Sequence, residues 1–363
     1  MPTVAGMGTR RDATPGSPAP EAHGHRPVLL HQLIESLQPE PGQTAVDATL
    51  GAGGVTGALL ERVLPGGRVI AVDRDKRSIE AARALFAPLS DSLTLVAGDF
   101  ANLDRIVEEA GAPVVDTVVF DLGISSVQLD DASRGFSFRF DGPLDMRMDT
   151  EAGETAADII RTASEAELAG IIRDYGDERF AARIAARIVA FRRERPVTTT
   201  AQLREIVEGA VPRPLWPKRI HPATRTFQAL RIAVNGELES LEQGLQAAIR
   251  ILRPGGRLGV VSFHSLEDTL VKNTLHVAAK NCICPPQQPH CTCVHRATIS
   301  LVTRRVIKPN ADEVTANPRA RSARLRVAEK LDSPGTPLPR EGPPTVGGPP
   351  ARTPRPTRRT SNS

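Results

Sequence analysis

The stretch Asp47-Ala48-Thr49-Leu50-Gly51-Ala52-Gly53-Gly54 sets a carboxylate ahead of three closely spaced glycines. Without Cβ atoms, such a turn lets a ligand approach the backbone. Asp73 follows 22 residues after Gly51, where an acid suits ribose hydroxyls. Two ligand classes fit: a dinucleotide or S-adenosylmethionine. The dinucleotide fingerprint is G-x-G-x-x-G. Here Gly51, Gly53, Gly54 and Gly57 make G-x-G-G-x-x-G, with Thr56 at the place of the third glycine. Asp47 adds a carboxylate able to hold the ammonium of the amino-acid end of S-adenosylmethionine. Gly98-Asp99-Phe100 offers an adenine a polar partner and an apolar wall, and Leu252-Arg253-Pro254-Gly255-Gly256-Arg257-Leu258 is a further stretch of the kind methyltransferases carry. Any one of these also reads as a plain strand–helix connection. Together and in this order they favour S-adenosylmethionine.

All four cysteines fall between Cys282 and Cys293, as two Cys-x-Cys pairs six residues apart. That confinement argues against a disulfide framework. Four thiolates can hold zinc tetrahedrally, with His290 and His295 as substitutes, although C-x-C is tighter than the usual spacing. A structural metal, reduced loop thiols and redox pairing all stay open, and no metal is assigned to the reaction.

These residues need strands to place them. The runs 44–50, 68–73, 93–98 and 114–121 read as strands, alternating with helices over 55–64, 76–86 and 101–110. Apolar strands alternating with helices predict an α/β fold with a parallel sheet covered on both faces. The alternation stops at 123–150, which reads as loop, and at 155–210, which reads as several helices. In one of these Phe180, Ile184, Ile188 and Phe191 share a face. A long helix over 226–252, a strand over 257–263 and a helix over 266–279 restore the pattern, and 297–307 with 322–328 suit a closing antiparallel pair. The resulting layout is a discontinuous core (26–149 and 221–330) interrupted by a helical insertion at 150–220, with disordered tails at 1–25 and 331–363.

Net charge is +4 and the isoelectric point about 9.1, yet the tails carry all of that charge: +1 before Pro27 and +3 after Lys330. Any nucleic-acid surface on the body must therefore be a local patch. The basic tail either adds salt-dependent affinity for RNA or is an inert extension. Aromatics make up only 3% of the chain, so the core is aliphatic. No apolar run approaches the ~20 residues that span a bilayer, and 1–26 lacks the apolar stretch of a secretory signal. A cytoplasmic protein is expected.

From Asp121 the sequence becomes distinctive: DLGISSVQLDDASRGFSFRFDGPLDMRMD, through Asp149. With HRPVLL (25–30), HPATRTFQALRIAVNGELE (221–239), SFHSLED (262–268) and NPRARSARLR (317–326), it closely resembles the MraW (RsmH) family of small-subunit ribosomal RNA cytosine-N4 methyltransferases. The resemblance implies a Rossmann-like class I methyltransferase sheet with an inserted helical domain. It implies S-adenosylmethionine as cofactor and 16S ribosomal RNA, within the small subunit, as partner. Cofactor contacts would fall at Gly53, Gly54 and Val55, with Asp73 on the ribose and Phe100, Asp121 and Gln128 lining the pocket. The family usually reads Gly-Gly-His-Ser, whereas this chain has Gly53-Gly54-Val55-Thr56. A main-chain contact survives that change, but a histidine side-chain role does not.

The implied acceptor, the exocyclic amine of cytosine, is a poor nucleophile because its lone pair is delocalised into the ring. Groups that accept its N–H bonds can localise the lone pair, and orientation supplies much of the rest. Asp121 or Ser125 is the candidate for that work, with Asp145 next unless it is simply paired with Arg147. Phosphate contacts are sought at Arg134, Arg139, Arg147, Lys218, Arg219 and Arg225, and on the stripe Arg179, Arg183 and Arg187. His221 and His264 suit either RNA or core contacts. The competing readings are methylation of another RNA or DNA amine, a nicotinamide-dependent oxidoreductase, and a non-catalytic RNA-binding factor on the same fold.

Overall fold

A computed structural model describes residues 27–333, except 219 and 289. The tails expected to be disordered therefore lie almost wholly outside the described residues. Seven strands form one sheet: β1 Thr44–Asp47, β2 Arg68–Asp73, β3 Leu93–Ala97, β4 Val115–Asp121, β5 Leu252–Ser262, β6 Ile299–Leu301 and β7 Arg324–Lys330. Their order is β3-β2-β1-β4-β5-β7-β6. β1 to β5 pair in parallel, whereas β7 runs antiparallel between β5 and β6. The expected closing antiparallel pair is thus β6 and β7.

The helices in chain order are α1 Leu30–Leu37, α2 Gly54–Val63, α3 Lys76–Leu85, α4 Leu103–Glu109, α5 Ser126–Asp130, α6 Ala156–Thr162, α7 Glu165–Gly176, α8 Ala181–Glu194, α9 Thr200–Ala210, α10 Thr224–Asn235, α11 Glu237–Ile251, α12 Ser265–Ala278 and α13 Ala311–Ala316. Strand side chains alternate between the two faces. Ala45, Val119 and Val261 point to one side and meet Leu33, Leu59 and Ile79 of α1, α2 and α3. Val46, Val118 and Val260 point to the other and meet Leu103, Leu245 and Val271 of α4, α11 and α12. Each buried aliphatic side chain contributes roughly 1.5–3 kcal/mol. A one-residue slip would exchange the two faces.

A third core belongs to the helical part. Leu168, Ile172, Ile184, Ile188, Leu203 and Ile206 fill it, and Phe136, Leu144 and Met146 before α6 and Phe227 and Leu230 of α10 join them. Ile184 and Ile188 are fully buried, whereas Phe180 and Phe191 sit half-buried at its edge. The apolar face read from the sequence is this contact.

Two expectations need correction. The single helix over 226–252 is two helices, α10 and α11, because Gly236 adopts φ 56° and ends α10. The 123–150 loop contains α5, started by a reciprocal cap between Ser125 and Gln128. Among the described residues no helix is long and apolar enough to cross a membrane.

Candidate active site

Strand order reverses between β1 and β4, and in a doubly wound sheet the crevice beyond the strand ends at that switch point is the ligand site. A cleft of about 520 Å³ opens there. The glycine turn after β1, Asp73 at the end of β2, Phe100 after β3 and Asp121 at the end of β4 all border it.

Gly53 has φ 85° and starts α2 without a side-chain cap. A Cβ there would lie 2.8 Å from the ring of Phe86, so only glycine fits. The first turn of α2, beginning Gly54-Val55, borders the cleft, and amides at a helix start lack intrahelical partners. They suit a carboxylate. Asp73 accepts from the amides of Gly51 and Asp75, both at 2.8 Å. Burial outweighs those donors, and the charges of Asp75 and Asp47 add to it, so its pKa is pushed up to about 6.

Phe100 packs edge-on against Phe120, centroids 5.4 Å apart. The absence of a side chain at Gly244 of α11 admits it, since a Cβ there would come within 2.8 Å of the Phe100 ring. The neighbouring Asp99 is not a cleft residue: it pairs with Arg74 and accepts from Ser240 Oγ.

Asp121 is the least compensated group at the rim. Its Oδ1 is buried without a hydrogen-bond partner. Burial, reinforced by the charges of Asp47 and Glu267, pushes its pKa up to about 8. Glu267 faces the cleft from α12. Burial works against its charge, but bonding to His264 and the charge of Arg231 prevail and hold its pKa below the usual value. His264 Nε2 lies 3.0 Å from Glu267 Oε1, and Arg231 makes a two-point ion pair with Glu237, 2.8 and 2.7 Å.

Several expected site residues are braces. Asp47 is fully buried and spends its oxygens on Thr49 N at 3.1 Å and Thr56 Oγ1 at 2.7 Å. It locks the glycine turn and does not face the cleft. Ser125 lines the cleft, but its hydroxyl oxygen caps α5 by accepting from Gln128 N. Gln128 also lines the cleft, with its amide turned to Ser125 N and to Asp75.

Beside Asp121 and Ser125, His264 is the one expected RNA contact among the described residues that borders the cleft. Arg134 is 4% exposed, paired with Asp75 and donating to the carbonyls of Arg147 and Met148. Asp145 and Arg147 are bound to each other at 2.9 Å by two bonds. Arg225 donates to the carbonyl of Asp177 at 2.8 Å. His221 is held by Glu208 at 3.1 Å between Phe138 and Trp216. Each has a partner inside the protein, and for Arg134 and Arg147 that partner is a carboxylate that offsets the charge. Arg179, Arg183 and Arg187 are exposed on the helical part, as are Arg139 and Lys218; Arg219 lies outside the described residues. Sequence reasoning missed Arg74, Gln228, Arg231, Glu237, Glu267, Asn317 and Arg319, all on the cleft wall. Most lie inside the distinctive blocks, which were the available signal. Arg319 ties the wall together by donating to Ser126 Oγ and Asp130.

Comparison with known proteins agrees with this geometry. The MraW methylase family matches residues 22–331. Ribosomal RNA small subunit methyltransferase H of Geobacter sulfurreducens is 50% identical over 307 residues, 85% of this chain and 99% of its own. The protein of the same name from Syntrophotalea carbinolica is 48% identical over 311 residues, 86% of this chain and 99% of its own. Among solved structures, an rRNA methylase from Streptococcus thermophilus overlays with a TM-score of 0.37 at 12% identity, covering 83% of this chain and 93% of that one. The cleft brings together under-compensated acids, the start of α2, Asp73 and Phe100, groups of the kind a cationic ligand with a carboxylate, a ribose and a flat base would need. The chain belongs to the MraW methylase family, and it is an S-adenosylmethionine-dependent methyltransferase.

Proposed function

We propose that the protein transfers the methyl group of S-adenosylmethionine to the exocyclic N4 of a cytidine in 16S ribosomal RNA, within the small subunit and in the cytoplasm. The observation that carries this reading is the partnerless Oδ1 of Asp121 at the switch point of the sheet, in a chain of this family.

Gly53, Gly54 and Val55 hold the amino-acid end, Asp73 the ribose and Phe100 the base. When bound, S-adenosylmethionine supplies a methyl group made electrophilic by its sulfonium. A sulfonium bound near Asp121 would favour its ionised form and so lower its pKa from about 8. Its Oδ1 then accepts one N–H of the amine, steers the lone pair towards the methyl and takes up the proton that the product sheds. Ser125 acts one step removed, by starting α5 and so shaping the wall. Glu267 and His264 face the acceptor side, where hydrogen bonds to a base edge are wanted.

A cytidine inside folded RNA must leave its stack to enter such a cleft. Exposed cations on the helical part, among them Arg183, then meet phosphates, since proteins hold RNA largely through backbone and splayed bases. Asp75 and Asp145 neutralise Arg134 and Arg147 and leave that task to the surface.

Transfer of labelled methyl to small subunits lacking their own modifications, followed by nuclease mapping, tests the reading. Label on N4 of one cytidine is expected. Ser125→Ala should keep single-turnover transfer within about tenfold of the parent, since it loses a cap of about 1 kcal/mol, whereas Asp121→Asn should lose far more. Cofactor binding with no transfer to the subunit, and transfer to another RNA or DNA amine, would overturn the substrate.

A further inference from the structure

Outside the cleft, one group of metal-type ligands stands out among the described residues: Cys282, Cys284, Cys291 and Cys293, whose four sulfurs lie within 4.8 Å of one another. Cys293 Sγ is 3.6 Å from Cys291 Sγ and 3.7 Å from Cys282 Sγ. None of the four is in a disulfide, where sulfurs would be about 2.05 Å apart. In a tetrahedron of thiolates around zinc, with Zn–S of about 2.3 Å, the sulfur–sulfur edge is about 3.8 Å. The two measured separations are close to that edge.

The surroundings give a reason for such a site. The described residues of 279–298, between α12 and β6, form no helix or strand, and structureless connections longer than about 12–15 residues are uncommon in a compact domain. Apolar packing does not hold this one where the thiols lie. Ile283, between two of the cysteines, is 51% exposed, and Val294, next to Cys293, is 93% exposed. Something other than a hydrophobic core must fix the segment, and the thiols are the groups it gathers. Four soft ligands with no carboxylate select a tetrahedral thiophilic ion. With four protein ligands such a site keeps no open position, which marks a structural site and not a reacting one. No cysteine lines the cleft.

We propose that Cys282, Cys284, Cys291 and Cys293 together bind one zinc ion that staples the connection between α12 and β6. Lys280 and Arg296 flank the cluster in the chain.

The test uses the full chain, purified under reducing conditions without chelator. Elemental analysis should find about one zinc per chain, and cobalt(II) should replace it with the visible spectrum of tetrahedral thiolate coordination. The double variant Cys291→Ser, Cys293→Ser should retain less than about a tenth of the zinc while binding S-adenosylmethionine within about twofold of the parent. Should the variant fail to fold, cobalt titration of the parent decides alone. A folded, reduced parent without zinc and without cobalt uptake overturns the proposal. So do iron in place of zinc, disulfides in the protein as isolated, and a folded zinc-free variant that no longer binds S-adenosylmethionine.

Discussion

The rim of the sheet and the loop that follows it treat charge in opposite ways. At the rim, Asp73 and Asp121 are crowded with other acids and sheltered from water, and their pKa values rise to about 6 and about 8. In the loop, Asp145 is matched by Arg147, and Arg134, buried beside it, reaches back to Asp75. Hydrogen bonds and the Arg147 charge overcome the cost of burial at Asp145 and lower its pKa. Of these four acids and bases, the under-compensated Asp73 and Asp121 border the cleft, and the matched Asp145 and Arg134 do not.

That contrast can be broken by experiment. The largest effect is expected at Arg134, whose removal strands Asp75 in the interior. Arg134→Ala should cost about 3–5 kcal/mol of stability in chemical denaturation, and a loss below about 1 kcal/mol would mean that the pair is not a brace. Asp73→Ala should weaken S-adenosylmethionine binding about 100-fold by calorimetry, close to 3 kcal/mol, because charge-assisted bonds to the ribose are lost. Unchanged affinity would remove Asp73 from the site.

Asp121 allows a pH test. A carboxyl whose pKa is raised is mostly protonated below about 8, and a cationic ligand favours its ionised form. Affinity for S-adenosylmethionine should therefore climb with pH, by at most about tenfold per unit, and level off above about 8. Asp121→Asn should flatten that climb; a flat profile in the parent would show that Asp121 does not meet the cation. The smallest effect belongs to Arg147→Ala, which breaks a partly exposed pair and should cost no more than about 1 kcal/mol, with methyl transfer to the subunit little changed.

Much of the sheet was legible because short continuous apolar runs and glycine turns are local signals. Gly53, Asp73, Phe100 and Asp121 could be placed at strand ends from those signals alone. The errors about charged side chains share a physical origin: their partners are set by the fold. Asp47 was read as a ligand for the cofactor, but its side chain turns inward to Thr56. Arg134 was read as a phosphate contact, but its partner Asp75 lies 59 residues away in the chain. Glu267 and Arg231 were passed over although both stand inside recognisable blocks. The break at Gly236 was missed because glycine inside an otherwise helical pattern is often tolerated.

By itself the sequence determined which segments alternate as strand and helix, where the glycine turn falls and which acids end the strands, since these follow from side-chain periodicity and from the backbone freedom of glycine. Only the tertiary structure decided which charges are spent within the protein and which remain for a ligand. Pairing depends on distance in space and on shelter from water, and neither is written in the spacing of residues along the chain.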